Sequence, residues 1–105
     1  MMIFIETPAF TKRVKELLDD DAYAKFQAFL RDKPNAGAVI EGTGGLRKVR
    51  VSTGGQGKSG GARVIYYHFV SASHIALLLI YPKNAQSDLT DAQRKALKAV
   101  IENWR

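Results

Sequence analysis

Two apolar segments joined by a short turn decide the fold of this chain: ARVIYYHFV at residues 62–70 and IALLLIY at residues 75–81. Both segments are rich in β-branched and aromatic residues, and the small residues at 71–73 between them favour a turn. The pattern therefore predicts a β-hairpin. The second segment is apolar at every position, so both of its faces are apolar, which is typical of a central strand.

In the residues before this hairpin, apolar and polar side chains alternate with a period of two. LRKVRV at residues 46–51 predicts a strand that carries Lys48 and Arg50 on one face. The following residues, 52–61, include five glycines and predict a loop that leads into the hairpin. A short apolar run at residues 3–5 predicts one more strand near the N-terminus.

Three amphipathic segments predict helices. The first begins with Thr7 as N-cap and Pro8 at the first helical position, and the second follows three aspartates at residues 19–21 that offer another N-cap. The third begins near Thr90, where Gln93 completes a capping box. Its expected apolar stripe consists of Leu89, Ala96, Leu97, Val100, Ile101 and Trp104.

The predicted element order is β-α-α-β-β-β-α, which indicates an α+β fold with a mainly antiparallel sheet. A chain of 105 residues is typical of one domain, so we expect a single domain over residues 1–105. The absence of cysteine excludes a disulfide framework and a thiolate metal site. No signal peptide is visible and the longest apolar run is too short to cross a bilayer, so we expect a cytoplasmic protein.

The excess positive charge is confined to one part of the chain. Residues 42–87 contain six Lys or Arg and no Asp or Glu, while the residues on either side are nearly balanced, and the net charge is +6. These six cations are Arg47, Lys48, Arg50, Lys58, Arg63 and Lys83. A concentrated positive potential favours a phosphate backbone as partner. Because carboxylates are missing from this stretch, we expect phosphate chemistry that uses no metal and no cofactor.

Three of the cations are expected to converge. If the strands on either side of the glycine-rich loop pair, Lys48 and Arg50 on the first strand meet Arg63 at the start of the next. The alternative is a solvated polar face, which is common for basic residues on strands. The sequence leaves open which face of the hairpin is the core, because Arg63 shares its face with Ile65 and Tyr67.

Tyrosines accompany this basic stretch. Tyr66, Tyr67 and Tyr81 are candidates to stack on unpaired bases, as aromatic residues do in many RNA-binding proteins. Since Tyr66 and Tyr67 are adjacent on a strand, at least one of them must face inwards. The candidate RNA-binding residues are therefore Arg47, Lys58, Tyr66 and Tyr81.

Two other motifs are better explained without a nucleotide or metal site. The glycine-rich loop ends in GKS at residues 57–59, but a P-loop must open a helix, and here a strand follows. A hairpin loop that brings Lys58 to a backbone phosphate fits the sequence better. His68 and His74 have no carboxylate or thiol nearby in the sequence, so neither is expected to bind metal or act as a general base.

Several segments together resemble the RelE superfamily of toxins and, more narrowly, its HigB-type branch. They are residues 44–50, 57–58, 60–67, 81–84 and 88–89, and the similarity spans nearly the whole chain. The resemblance implies a RelE-like fold and a ribosome-dependent endonuclease that cuts mRNA in the A site of the 70S ribosome. It also implies a cognate antitoxin, commonly a small helix-turn-helix protein.

The resemblance also implies roles for individual residues. Lys48 and Arg50 match basic strand residues that orient the phosphate and act in proton transfer, and Arg63 matches the arginine that stabilises charge on the scissile phosphate. Lys83 falls near the family's general acid, which is usually an arginine. A family tyrosine near the last helix has no match here, and Tyr81 is the candidate to replace it.

Two other functions fit the same sequence. A gyrase-inhibiting toxin of the sister ParE branch has the same fold, although its members usually lack such a concentrated basic cluster. A non-catalytic nucleic-acid-binding module needs only the basic sheet, and its binding to single strands weakens as salt increases. Cut messages distinguish the endonuclease from both alternatives.

Overall fold

The computed structural model describes residues 1–52, 61–86 and 88–104. Five strands and three helices are arranged along the described chain. In order they are β1 (Ile3–Glu6), α1 (Pro8–Leu17), α2 (Asp20–Asp32), β2 (Ala38–Val39), β3 (Arg47–Val51), β4 (Ala62–Phe69), β5 (His74–Pro82) and α3 (Asp91–Trp104). The predicted α+β class is confirmed. The predicted order lacks β2, because two residues are too few to produce a detectable period.

The strands form one sheet in the order β1-β5-β4-β3-β2. β1 runs parallel to β5, and the other pairings among the described strands are antiparallel. The prediction that residues 75–81 form an interior strand is confirmed, since β5 lies between β1 and β4. The turn between β4 and β5 is a 3-10 turn, Val70–Ala72, followed by Ser73 in the left-handed region at φ 54°.

An irregularity in the β4–β5 pairing ties the first helix to the sheet. Ile65 pairs with Leu79 and Tyr66 with Leu77, so Leu78 is an extra residue on β5. Its carbonyl accepts a hydrogen bond from the Thr7 hydroxyl at 2.7 Å. The same hydroxyl oxygen accepts from the backbone N–H of the third helical residue and so caps α1, as its sequence predicts.

Each face of the sheet carries its own core. α1 and α2 cover one face, where Phe10, Leu30 and Val64 are fully buried. α3 covers the other, where Ile65 and Ile101 are buried. Neighbouring residues of β4 therefore enter different cores, which is why its sequence pattern does not single out one buried face.

The third helix is less buried than its apolar stripe predicts. Its capping box is confirmed: the Thr90 N–H donates to Gln93 Oε1 at 3.0 Å, and the Gln93 N–H donates to Thr90 Oγ1 at 3.1 Å. Ile101 is 2% exposed, whereas Val100 is 39% and Trp104 is 36% exposed. Fewer residues of the predicted apolar stripe are therefore buried against the sheet.

Tyr66 is a core residue, and its burial argues against the predicted role in RNA binding. Its side chain is completely buried on the α1/α2 face. Its hydroxyl donates to the Pro34 carbonyl and accepts from the Gly37 N–H, both at 2.9 Å. A Cβ at Gly37 would lie 2.8 Å from the Lys48 carbonyl oxygen, so only glycine allows this segment to approach β3 so closely. A ring held in this way has no face free for a base.

These two hydrogen bonds make Tyr66→Phe destabilising. We expect the free energy of unfolding to fall by about 1–3 kcal/mol, because a buried N–H loses its partner. The matched control is Tyr81→Phe: the Tyr81 hydroxyl is buried but has no hydrogen-bond partner among the described residues, so its removal should leave stability unchanged or raised. Urea denaturation of both variants measures the difference. Equal midpoints would contradict the assignment.

Candidate functional site

The pairing of β3 with β4 brings three of the predicted site residues onto one face. Arg50 pairs with Arg63, and Lys48 pairs with Ile65, whose side chain lies in the core under α3. Lys48, Arg50 and Arg63 therefore share the α3 face of the sheet. Arg63 is 8% exposed, whereas Arg50 is exposed at the sheet margin.

Arg63 and Tyr81 are neighbouring buried residues, and each has a polar atom that could still form a hydrogen bond. They are directly opposite each other on β4 and β5, and Tyr81 is 4% exposed. Arg63 Nη1 and the Tyr81 hydroxyl are both buried without a hydrogen-bond partner in residues 1–52, 61–86 and 88–104. Burial raises the pKa of Tyr81, which keeps its hydroxyl protonated as a donor. Tyr81 thus offers the site its hydroxyl, and its ring is too buried to stack on a base.

A carboxylate from a distant part of the chain joins the cluster formed by Lys48, Arg63 and Tyr81. Lys48 Nζ donates to Asp88 Oδ1 at 2.5 Å across 40 positions of sequence. This hydrogen bond, followed by the charge of Lys48, lowers the pKa of Asp88, and the charges of Arg94 and Arg63 lower it further. Cations from β3, β4 and α3 therefore act electrostatically on one carboxylate.

Sequence reasoning missed both Asp88 and Arg94. Asp88 is the first acidic residue after the acid-free stretch and lies in one of the segments that resemble the family, but neither signal assigns it to the site. Arg94 lies four residues beyond Thr90, in the first turn of α3, where nothing in the sequence distinguishes it from other helix-surface cations.

The structure does not bring every predicted residue into the cluster. Arg47 pairs with Tyr66 and therefore lies on the opposite face, where its Nη1 donates to the Gly37 carbonyl at 2.7 Å. Lys83 is exposed immediately after β5, and its backbone N–H donates to the Gly61 carbonyl at 3.1 Å. Lys58 lies outside the described residues.

The chemistry available here is anion binding and charge stabilisation. Guanidinium groups bind phosphate through charge-assisted, often bidentate hydrogen bonds, and these bonds are stronger where water is excluded. Donors fixed in advance can also stabilise charge that develops during a reaction. Within the described part of the chain, no group of three or more His, Cys, Asp or Glu residues is placed to hold a metal ion. No described helix has the length and apolarity needed to span a membrane.

The lowered pKa of Asp88 provides a test of the cluster. Because its folded pKa lies below the ordinary carboxyl value, the Lys48–Asp88 pair stabilises the fold at neutral pH and is lost as pH falls through that lowered pKa. We expect Lys48→Ala to raise the Asp88 pKa towards its ordinary value. Carbon-detected NMR titration of the carboxyl group measures this shift, and an unchanged midpoint would show that Lys48 does not hold Asp88 in solution.

Comparison with known proteins gives the family of the chain. The family model described as the RelE toxin of the RelE/RelB toxin–antitoxin system matches residues 6–105. The isolated E. coli RelE toxin superposes with a TM-score of 0.60 at 12% identity, over 95% of this chain and 99% of that one. A free E. coli RelE mutant with two arginine-to-alanine substitutions gives 0.60 at 10% identity, over 95% and 96%.

These two structures share the fold, whereas the family match extends over nearly the whole sequence. The narrower HigB-type resemblance stays a prediction, because the matching model describes RelE toxins in general. An antitoxin partner follows from membership of a toxin–antitoxin family. This chain belongs to the RelE toxin family.

Proposed function

We propose that this chain is the toxin of a type II toxin–antitoxin system and a metal-independent endonuclease that cuts mRNA on translating ribosomes. The observation that carries the proposal is the buried Arg63, whose Nη1 has no partner among the described residues and which lies opposite Tyr81 on the Lys48 face of the sheet. A buried guanidinium with an unused donor suits an anion that arrives from outside the chain.

RNA supplies its own nucleophile, which makes such a site sufficient. The 2′-oxygen attacks the adjacent phosphorus and the bond from phosphorus to the 5′-oxygen breaks. The products are a 2′,3′-cyclic phosphate and a 5′-hydroxyl, since the 2′-hydroxyl loses a proton and the 5′-oxygen gains one. The protein must align these atoms, transfer the protons and stabilise negative charge on the phosphoryl oxygens.

The proposed roles of the cations are those that the family resemblance implies, and the positions of the residues are compatible with them. Arg63 is buried on an interior strand and stabilises charge on the scissile phosphate. Lys48 and Arg50 on β3 orient the phosphate and take part in proton transfer. Lys83, exposed beyond the end of β5, is the candidate general acid. Tyr81 adds a neutral donor beside Arg63.

In the free chain Lys48 is already bound to an anion. An incoming phosphodiester carries one negative charge, as the Asp88 carboxylate does, and so can replace it without changing the net charge of the cluster. The Asp88 side chain is 65% exposed, so water can hydrate its carboxylate when the phosphate displaces it. Exchange of one anion for another is how we propose that substrate enters the site.

The proposed setting is the cytoplasm, where translating 70S ribosomes present mRNA. A cognate antitoxin of the helix-turn-helix class would keep the toxin inactive, as expected for a HigB-type member. The family match supports an antitoxin of some class. The ribosome and the message are proposed as partners because the cation cluster suits a phosphate backbone.

Arg63→Ala should lower the rate of mRNA cleavage by on the order of 10²–10³, comparable with the loss of one oxyanion donor. The assay adds purified protein to a cell-free translation reaction and maps new mRNA ends by primer extension. The matched control is Lys12→Ala, which removes an exposed cation from α1 on the opposite face. If the Arg63→Ala protein is folded and cuts at the original rate, Arg63 does not belong to the site.

A second test concerns the nucleophile. A message with a single 2′-deoxynucleotide on the 5′ side of the cut should resist cleavage at that bond, because the attacking oxygen is missing. Cleavage at ordinary codons of the same message serves as the internal reference. Mass spectrometry of the fragments from an ordinary message should show 2′,3′-cyclic phosphate ends. Cleavage of the deoxy-substituted bond, or ends that carry a 5′-phosphate, would point to attack by water instead.

A further inference from the structure

Arg94 has an unsatisfied donor in the same cluster. It is half-buried in the first turn of α3, where its backbone N–H donates to the Thr90 carbonyl at 3.0 Å. Its Nε is buried and has no hydrogen-bond partner within residues 1–52, 61–86 and 88–104. The capping box of Thr90 and Gln93 fixes the start of this helix, so the backbone position of Arg94 is set by the fold.

Three buried side-chain nitrogen or oxygen atoms lack a hydrogen-bond partner in the described chain, and the charge of Asp88 acts on all three residues. They are Arg63 Nη1, the Tyr81 hydroxyl and Arg94 Nε. Arg63 and Tyr81 face each other across two strands. The carboxylate of Asp88 interacts electrostatically with Arg63, Tyr81 and Arg94. Buried donors without acceptors are rare in folded proteins, and a group of them from three elements indicates a place for an external acceptor.

We propose that Arg94 binds the scissile phosphate of the RNA together with Arg63, and that Asp88 holds the place of that phosphate in the free chain. The two guanidinium groups approach the anion from the helix and from the sheet. This inference rests on the proposed function, since it assigns a further substrate-binding residue to the same site. Arg94 lies outside the acid-free stretch that contains the other candidate cations.

The geometry of an arginine matters for this role. A guanidinium presents several donors in a plane and can bridge two phosphoryl oxygens, whereas a lysine is a point charge. Arg94→Lys should therefore retain part of the binding, and Arg94→Gln should lose nearly all of it. Lys98→Gln is the matched control, because Lys98 is exposed on the same helix.

The test measures single-turnover cleavage on programmed ribosomes for the unmutated chain, Arg63→Ala, Arg94→Gln, Arg94→Lys and Lys98→Gln. We expect Arg94→Gln to cut about 10²-fold more slowly, with Arg94→Lys intermediate and Lys98→Gln unchanged. If the unmutated chain cuts nothing, the proposed function fails. If it cuts, and Arg63→Ala is slow while Arg94→Gln is as fast as the unmutated chain, only the inference about Arg94 is overturned.

A second readout does not depend on cleavage. Inorganic phosphate is titrated into the unmutated free protein while the arginine Nε–Hε signals are followed by NMR, with chloride at matched ionic strength as reference. The Arg94 signal should shift saturably with phosphate, and at lower phosphate in Asp88→Asn, where the competing carboxylate is gone. An Arg94 signal that responds equally to chloride, or is unaffected by Asp88→Asn, would overturn the proposal.

Discussion

The pairing of β4 with β5 is the interaction on which the rest of this structure depends. Both strands lie in the interior of the sheet, and both of their faces are covered by helices. Side chains on these strands must therefore be apolar, or must find partners, or must serve a ligand. Tyr66 meets this constraint with two hydrogen bonds, whereas Arg63 Nη1 has no hydrogen-bond partner in the part of the chain that the structure describes. The same burial that stabilises the sheet makes Arg63 a candidate for function.

Local chemistry explains which parts of the fold could be predicted from the sequence. The starts of α1 and α2 depend on Thr7 and Asp19, whose side chains accept hydrogen bonds from backbone only three residues away. The hairpin depends on two apolar runs and a short turn. Such signals lie within a few residues of the element they specify. β2 escaped prediction because its two residues are strand only through their pairing with β3.

The candidate site was only partly predictable, because it is assembled by tertiary contacts. The register of β3 and β4 places Lys48 and Arg63 on one face, as alternation and strand pairing suggest. The alternation of side chains along a strand also predicts that Tyr66 and Tyr67 point to opposite faces of the sheet. Because both faces are buried, the pattern does not predict which of the two rings is inaccessible. Asp88 joins Lys48 across 40 residues, and no local pattern encodes that contact.

A tethered carboxylate would resolve a conflict between folding and the proposed binding of phosphate. Cations gathered without a counter-charge repel one another and weaken the folded state, whereas a permanent, buried ion pair would block the ligand. Asp88 avoids both difficulties, because it bonds to Lys48 while its own side chain stays largely exposed. An exposed ion pair is weak and easily exchanged. Under the proposed function, the chain can therefore keep its cations close together in the free state and still release them to a phosphate.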